Sequence, residues 1–343
     1  MTGWVPDVLP GYWQCAIPLG PDPTGEGDIV ATLIRRGHET GQATGADHAV
    51  LAVHGYTDYF FHTALADHFA NRGFAFYALD LQKCGRSRRE GQTPHFITDL
   101  ADYDAELERA LAVIGEQTRP GHPVKVLVYG HSAGGLIVSL WLDRLRLRRP
   151  EAHASVAGLV LNSPFLDLHG PAILRLPVTS AMIASLSRVR SKGVIRASSK
   201  GGYGTTLHRD FDGEFDYNLQ WKPLGGFPIT LGWLHAVRRG QVRLHRGLDV
   251  GVPNLILRSD HSVPLGDPAS MQRGDAVLDV TQIARWAGCI GNRSNIVAVI
   301  DAKHDVFLSL PEPRVVAYRE LDRWLDGYLA SDRTKAPASS GKG

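Results

Sequence analysis

The chain has 343 residues, 43% of them apolar and 21% charged, and a net charge of +2. That composition supplies a full hydrophobic core, excludes a disordered chain, and gives no electrostatic footprint for a nucleic-acid partner. Three distant cysteines, Cys15, Cys84 and Cys289, form neither a disulfide framework nor a zinc spacing, and no histidine pair stands at H-x-x-x-H spacing in a helical context, so no metal is expected.

Met1 to Trp13 carries Pro6, Pro10 and Gly11 where a signal peptide would have a basic and then an apolar segment, and no apolar run reaches membrane-spanning length. A cytoplasmic location without stable membrane insertion is the expectation. Strands are expected at Asp28–Arg35, His48–Val53 and Phe74–Leu81, with a helix over Phe60–Asn71. Leu100, Tyr103, Leu107, Leu111 and Ile114 mark one face of a helix capped by Thr98 or Asp99. The run Val124–Tyr129 is a strand, Ala133 to about Arg148 a helix, and Val156–Asn162 a buried strand. The arginines at 144, 146, 148 and 149 fall at that helix's C-terminal end, where cations oppose the dipole. Strand–helix alternation then stops between Pro164 and Gly251, apart from the apolar stretch Ile173–Val189 and a short helical candidate at Leu231–Val237. It resumes with strands at Asn254–Leu257 and Asn295–Ile300, a helix near Thr281–Ala287, and a last amphipathic helix carrying Val316, Leu321, Trp324, Leu325 and Tyr328. This order predicts an α/β protein with a mostly parallel central sheet and helices on both faces. Residues 1–164 and 251–330 form its two core parts, 165–250 an inserted cap, and 331–343 a disordered polar tail.

Between the strand and the helix stands Gly130-His131-Ser132-Ala133-Gly134. A strand entering G-x-S-x-G and leaving as a helix is a nucleophile elbow. The turn is tight, so the flanking residues must be small, and the strain exposes the Ser132 hydroxyl beside a helix N-terminus. In such a chain the base follows the last strand, and His304 sits there. The acid should follow the strand Asn254–Leu257, where Asp260, Asp275 and Asp279 compete. Asp279 has the spacing of an N-cap, three residues before Gln282. Asp275 is preferred by loop position, with Asp260, nearest the strand end, as the alternative acid. One oxyanion donor is the N–H of Ala133; the other is expected from the loop His54-Gly55-Tyr56, at the N–H of Tyr56. Tyr59, Phe60 and Phe61 either line a pocket or pack the following helix. The apolar residues Leu174, Leu176, Val178, Met182, Ile183 and Leu186 either roof the site or pack the cap onto the core.

With His54-Gly55, the elbow and Lys303-His304-Asp305 together, the chain resembles the serine aminopeptidase / monoacylglycerol lipase-like (lysophospholipase-type) branch of the α/β-hydrolase superfamily, over about Ala49 to Leu329. Asp80-Leu81 followed by Gly85-Arg86-Ser87 is similar to that family's D-x-x-G-x-G-x-S turn, with Lys83 and Cys84 as departures. The family's early acid position corresponds to Ser262, and the D-x-V element reappears at Asp275-Ala276-Val277. The resemblance implies an α/β-hydrolase fold with a lid, no cofactor, and a small-molecule ester substrate with a small to medium acyl chain. The expected activity is ester hydrolysis through an acyl-enzyme; an amidase, peptidase, lactonase or perhydrolase would use the same residues, and a non-catalytic binding homologue is the alternative from another class.

Overall fold

The computed structural model describes residues 3–37, 45–197 and 201–333. In chain order the elements are β1 (Val5–Pro6), β2 (Tyr12–Pro21), β3 (Asp28–Arg36), β4 (His48–Val53), α1 (Thr63–Asn71), β5 (Phe74–Asp80), α2 (Asp104–Thr118), β6 (Lys125–His131), α3 (Ala133–Arg148), α4 (Pro150–His153) and β7 (Val156–Asn162). They continue with α5 (Pro177–Arg190), β8 (Val194–Arg196), β9 (Ile229–Thr230), α6 (Leu231–His245), β10 (Asn254–Ser259), α7 (Pro268–Met271), α8 (Val280–Trp286), β11 (Ser294–Val299) and α9 (Pro311–Arg333).

Nine strands make one sheet in the order β1-β2-β3-β5-β4-β6-β7-β10-β11. The pairs from β5 through β11 are parallel, and β1, β2 and β3 add an antiparallel edge. The inner parallel strands β5, β4, β6 and β7 are apolar on both sides because helices cover both faces. Leu65 and Phe69 of α1 and Leu321 and Trp324 of α9 pack one face; Leu107 of α2, Leu136 and Trp141 of α3, Trp233 of α6 and Ile283 of α8 pack the other. Asp99 caps the turn before α2 by accepting from the Ala101 N–H.

Three departures from the sequence reading stand out, and two of them have local causes. β2 is a ten-residue strand where none is expected; its interior Pro18 reads as a strand breaker, and the register with β3 shifts between Pro18 and Gly20. α6 runs on to His245 through Gly240, whose missing side chain leaves room for Leu140 and Leu100. The tail expected from 331 is still helical at 331–333, and its remainder lies outside the described residues.

The topology gathers several loops at one edge. Val53 pairs with Gly130 across β4 and β6, so the loops that follow these two strands leave the sheet side by side. β10 lies next to β7 and β11 next to β10, and both release their loops at the same carboxyl edge, where open α/β sheets bind ligands. Between β7 and β10 the chain leaves the sheet and forms α5, the β8–β9 pair and α6 above this edge.

Candidate active site

Ser132 occupies a backbone conformation that side-chain-bearing residues avoid, φ 52° and ψ −120°. Such a position costs about 1–3 kcal/mol and persists only when its surroundings over-determine it. They do so here: the Ser132 N–H donates to the Asn162 carbonyl (3.0 Å), and its own carbonyl accepts from the N–H groups of Gly135 (3.0 Å) and Phe165 (2.9 Å). The flanking glycines are needed for close approach. A Cβ on Gly134 would overlap the His54 carbonyl oxygen and lie 2.6 Å from that of Val53; one on Gly130 would lie 2.8 Å from the Gly135 Cα.

His304 donates from Nδ1 to the Asp275 Oδ2 at 2.9 Å, with both side chains buried. The other Asp275 oxygen, Oδ1, accepts from the N–H groups of Val277 and Leu278, each at 2.8 Å. This leaves Nε2 of the imidazole for the cavity that Ser132 and His304 both line. Asp260 is elsewhere: it meets His261 Nδ1 at 2.8 Å and accepts from the Asp301 N–H at the surface. Asp279 caps α8 by accepting from the Thr281 N–H.

The path of the chain explains why the acid is hard to choose from sequence. After β10 the backbone runs out through α7 and returns, so that Ser262 and Asp275 form a bridge, with Val263 N–H to the Asp275 carbonyl (2.9 Å) and Asp275 N–H to the His261 carbonyl (3.0 Å). The early and late acid positions are therefore neighbours in space. Ser262 commits its hydroxyl to α8, accepting from the Val280 N–H and donating to the Leu278 carbonyl.

His54 shapes the opposite wall. Its Nε2 accepts from the Leu81 N–H at 3.1 Å, so its Nδ1 carries the proton and donates to the Gly55 carbonyl at 2.8 Å. The Gly55 C=O and the Tyr56 N–H belong to one planar peptide unit and point oppositely. Pinning the carbonyl thus aims the Tyr56 N–H away from His54. The Ala133 N–H opens α3 and has no intrahelical partner. A Cβ on Gly55 would stand 2.9 Å from that of Ser132, so the two loops are in contact. The Tyr56 ring lies against Trp233 and His95, and its hydroxyl donates to the Pro228 carbonyl (2.6 Å).

Further polar residues hold these loops, and Asn162, Tyr203, Asp58 and Lys222 among them are not singled out by the sequence reading. Asn162, at the end of β7, donates to Asp305 Oδ1 (2.7 Å) and to the Tyr129 hydroxyl (2.8 Å), while the Tyr203 hydroxyl accepts from the Asp305 N–H (2.9 Å). A polar residue ending a buried strand is the available signal for Asn162. Asp58, buried, accepts from Lys222 Nζ (2.8 Å) and faces His131 Nδ1 (3.3 Å). Burial opposes its charge, but Lys222 and His131 hold it well below the usual carboxylate range. Lys222 comes from a distant segment and leaves no mark in sequence. Lys303 donates to the Thr206 carbonyl at 2.6 Å, and burial pushes its ammonium down to about 8.

The shared cavity has a volume of about 810 Å³ and is lined mainly by apolar groups, among them Phe165, Phe227, Trp233, Leu234 and Met271. Tyr59, Phe60 and Phe61 are buried in packing clusters and do not reach it. Nor do the six apolar residues considered as a roof: Ile183 is buried, and the other five face outward.

The family model for serine aminopeptidases, S33, matches residues 44–265. The chain belongs to the serine aminopeptidase S33 family. Similar solved structures include a soluble variant of monoglyceride lipase from Saccharomyces cerevisiae bound to a substrate analogue, with TM-score 0.62, 16% identity, and coverage of 94% of this chain and 99% of that one. The monoacylglycerol lipase of Paleococcus ferrophilus gives TM-score 0.57 at 18% identity, covering 92% and 99%. A thermostable carboxyl esterase from Bacillus coagulans gives 0.61 at 12%, covering 92% and 99%. At these identities the likeness is one of fold, and the fold is that of the α/β-hydrolases. Among functionally curated proteins no relative matches by sequence. No helix among the described residues of this S33 family member is long and apolar enough to cross a membrane.

Proposed function

We propose that the chain is a serine hydrolase that cleaves carboxylic esters of small to medium acyl chain through an acyl-enzyme. The observation that carries this reading is the buried His304–Asp275 pair at 2.9 Å, with His304 on the wall of the apolar cavity that the strained Ser132 also lines. In the proposed cycle His304 Nε2 takes the Ser132 proton as Oγ attacks the ester carbonyl, and Asp275 holds the imidazole tautomer. The N–H groups of Tyr56 and Ala133 stabilise the oxyanion, a contribution worth about 100- to 1000-fold in rate per donor. Collapse of the intermediate expels the alcohol with the proton from His304, and water then repeats the sequence on the acyl-enzyme. The cavity volume, about 810 Å³, falls in the range of small-molecule sites, and its lining suits an alkyl or acyl chain. Segment 165–250 acts as the lid, and the enzyme works in the cytoplasm.

A fluorophosphonate probe tests the assignment. Wild type should label, and both Ser132→Ala and His304→Ala should not. An ester panel from acetate to palmitate, with monoacylglycerols and lysophospholipids, then defines the chain length. Labelling that survives in Ser132→Ala, or none in the wild type, rejects the proposal.

A further inference from the structure

One residue beyond the Tyr56 N–H the backbone is strained. Thr57 has φ 53°, a conformation that a β-branched side chain strongly disfavours. Such a residue keeps its place only where its surroundings over-determine it. The His54 contact to the Gly55 carbonyl fixes the loop before Tyr56. What fixes it after Tyr56 comes from a distant part of the chain.

Residues 218–228 contain no helix or strand. They run past the loop in the opposite direction and bond to four consecutive loop residues. The Tyr56 hydroxyl donates to the Pro228 carbonyl (2.6 Å), and the Phe227 N–H donates to Thr57 Oγ1 (2.9 Å). Lys222 Nζ donates to Asp58 Oδ1 (2.8 Å), and the Asn218 N–H donates to the Tyr59 hydroxyl (2.7 Å). Lys222 Nζ also lies 3.4 Å from the Thr57 carbonyl. The strained residue is thus met at its side chain and at its carbonyl by the same segment. Asp58 and Lys222 are both buried, so water does not readily replace their bond. The segment is anchored in turn: Trp221 stands edge-on to the Tyr59 ring, and the Arg86 guanidinium carbon, held by Asp7 and Asp80, lies 5.4 Å from both ring centres.

An oxyanion donor contributes only when its N–H already points to where charge develops, within about 10–20°. A segment that merely walled the cavity would need apolar surface there, not a bond to each successive loop residue. We infer that 218–228 is a fixed strap that aims the Tyr56 N–H, with Lys222 and Thr57 as positioning residues. This rests on the reading of that N–H as an oxyanion donor. Opening of the lid then takes place outside the strap.

The test combines hydrogen exchange, read by mass spectrometry on peptides covering 54–61, with ester kinetics. Three variants are compared with wild type: Lys222→Met; Thr57→Val, which keeps the shape but cannot accept from Phe227; and Thr57→Ser, which can. Lys222→Met and Thr57→Val should speed exchange in 54–61 at least about tenfold, while β4 and α3 keep wild-type rates. On a p-nitrophenyl ester both should lose about tenfold in kcat with KM within about twofold, a part of the 100- to 1000-fold that one donor is worth. An alkyl boronic acid, which forms a tetrahedral adduct on a serine hydroxyl, should lose affinity by the same factor as kcat/KM. Thr57→Ser should recover kcat to within about threefold of wild type. Should Lys222→Met fail to fold, because it leaves Asp58 buried beside a neutral side chain, Thr57→Val carries the test. Unchanged exchange in 54–61 in the folded variants overturns the inference. So does a raised KM at unchanged kcat, because the strap is then a wall for substrate only. Wild type that neither labels with a fluorophosphonate nor turns over esters rejects the proposed function instead, and exchange still decides whether the strap holds the loop.

Discussion

Asp275→Asn tests the proposed acid through hydrogen-bond bookkeeping that the site makes unusually strict. Oδ1 accepts from two backbone N–H groups and Oδ2 from His304 Nδ1, all within 2.9 Å and buried. An asparagine has one acceptor oxygen and one donor NH2. If the oxygen keeps the Val277 and Leu278 amides, the NH2 faces His304 and forces Nδ1 to accept. The ring proton then moves to Nε2, the atom that receives the Ser132 proton in the proposed cycle. If the amide flips, two buried backbone donors lose their acceptor, at about 1–3 kcal/mol each. The first arrangement is therefore favoured, and it disables the proposed base while sparing the fold. The same inversion in serine proteases lowers turnover about 10⁴-fold, or about 5.5 kcal/mol in the barrier. We expect a loss of that order in kcat/KM on a p-nitrophenyl ester, with the melting temperature close to wild type. Asp260→Asn, at the surface and paired among the described residues with His261 and the Asp301 amide, should change the rate by no more than about twofold, in keeping with a weak exposed pair. Asp275→Asn retaining a tenth of wild-type activity, or Asp260→Asn proving the more damaging, would refute the reasoning.

Two glycines should respond in opposite ways. Gly115 lies inside α2 with open space where an alanine methyl group would stand, so Gly115→Ala should stabilise by about 0.5–1 kcal/mol, read as a higher melting temperature. Gly134→Ala drives a methyl group into the Val53 and His54 carbonyls and should cost about 1–3 kcal/mol and most fluorophosphonate labelling. The third prediction concerns acid. Lys83, fully buried, lies 2.7 Å from Asp22 and 3.0 Å from Glu26, and Lys192 also reaches Glu26. Burial raises both carboxyl groups, but hydrogen bonds from Lys83 and Thr24 for Asp22, and from Lys192, Thr93 and Lys83 for Glu26, outweigh it and bring each to about 2. Folded values below the unfolded ones mean stability that is present above about pH 4.5 and lost as pH falls through the folded values. Melting temperature should drop between about pH 4.5 and 2. Lys83→Met should lower stability at neutral pH by about 3–5 kcal/mol and flatten the loss between about pH 4.5 and 2, because the two carboxyl groups then titrate closer to their unfolded values; an acid limb as steep as that of wild type rejects the assignment.

Local chemistry is readable where the chain has one way to satisfy itself. β4, α3 and β7 begin and end where the sequence pattern sets them, because long apolar runs there end at glycine, asparagine or a helix-breaking sequence. The elbow is legible for the same reason, since its steric needs are confined to five consecutive residues. β2 is not, because tertiary pairing with β3 overrides an internal proline. Asp58 and Lys222 meet from positions far apart in the chain, and nothing local in either marks the other.

The sequence by itself determined the alternation of strands and helices, the strained serine and a histidine beyond the last strand, because each follows from spacing over a few residues. Only the tertiary structure decided between Asp260 and Asp275 as partner of His304, since the returning loop brings Asp275 beside Ser262 and leaves Asp260 at the surface. It also decided which way α5 faces. Periodicity defines a stripe on a helix, but which side is covered depends on the surface that packs against it, and α6 takes the side of Ile183 and leaves Val178, Met182, Leu186 and Val189 to solvent.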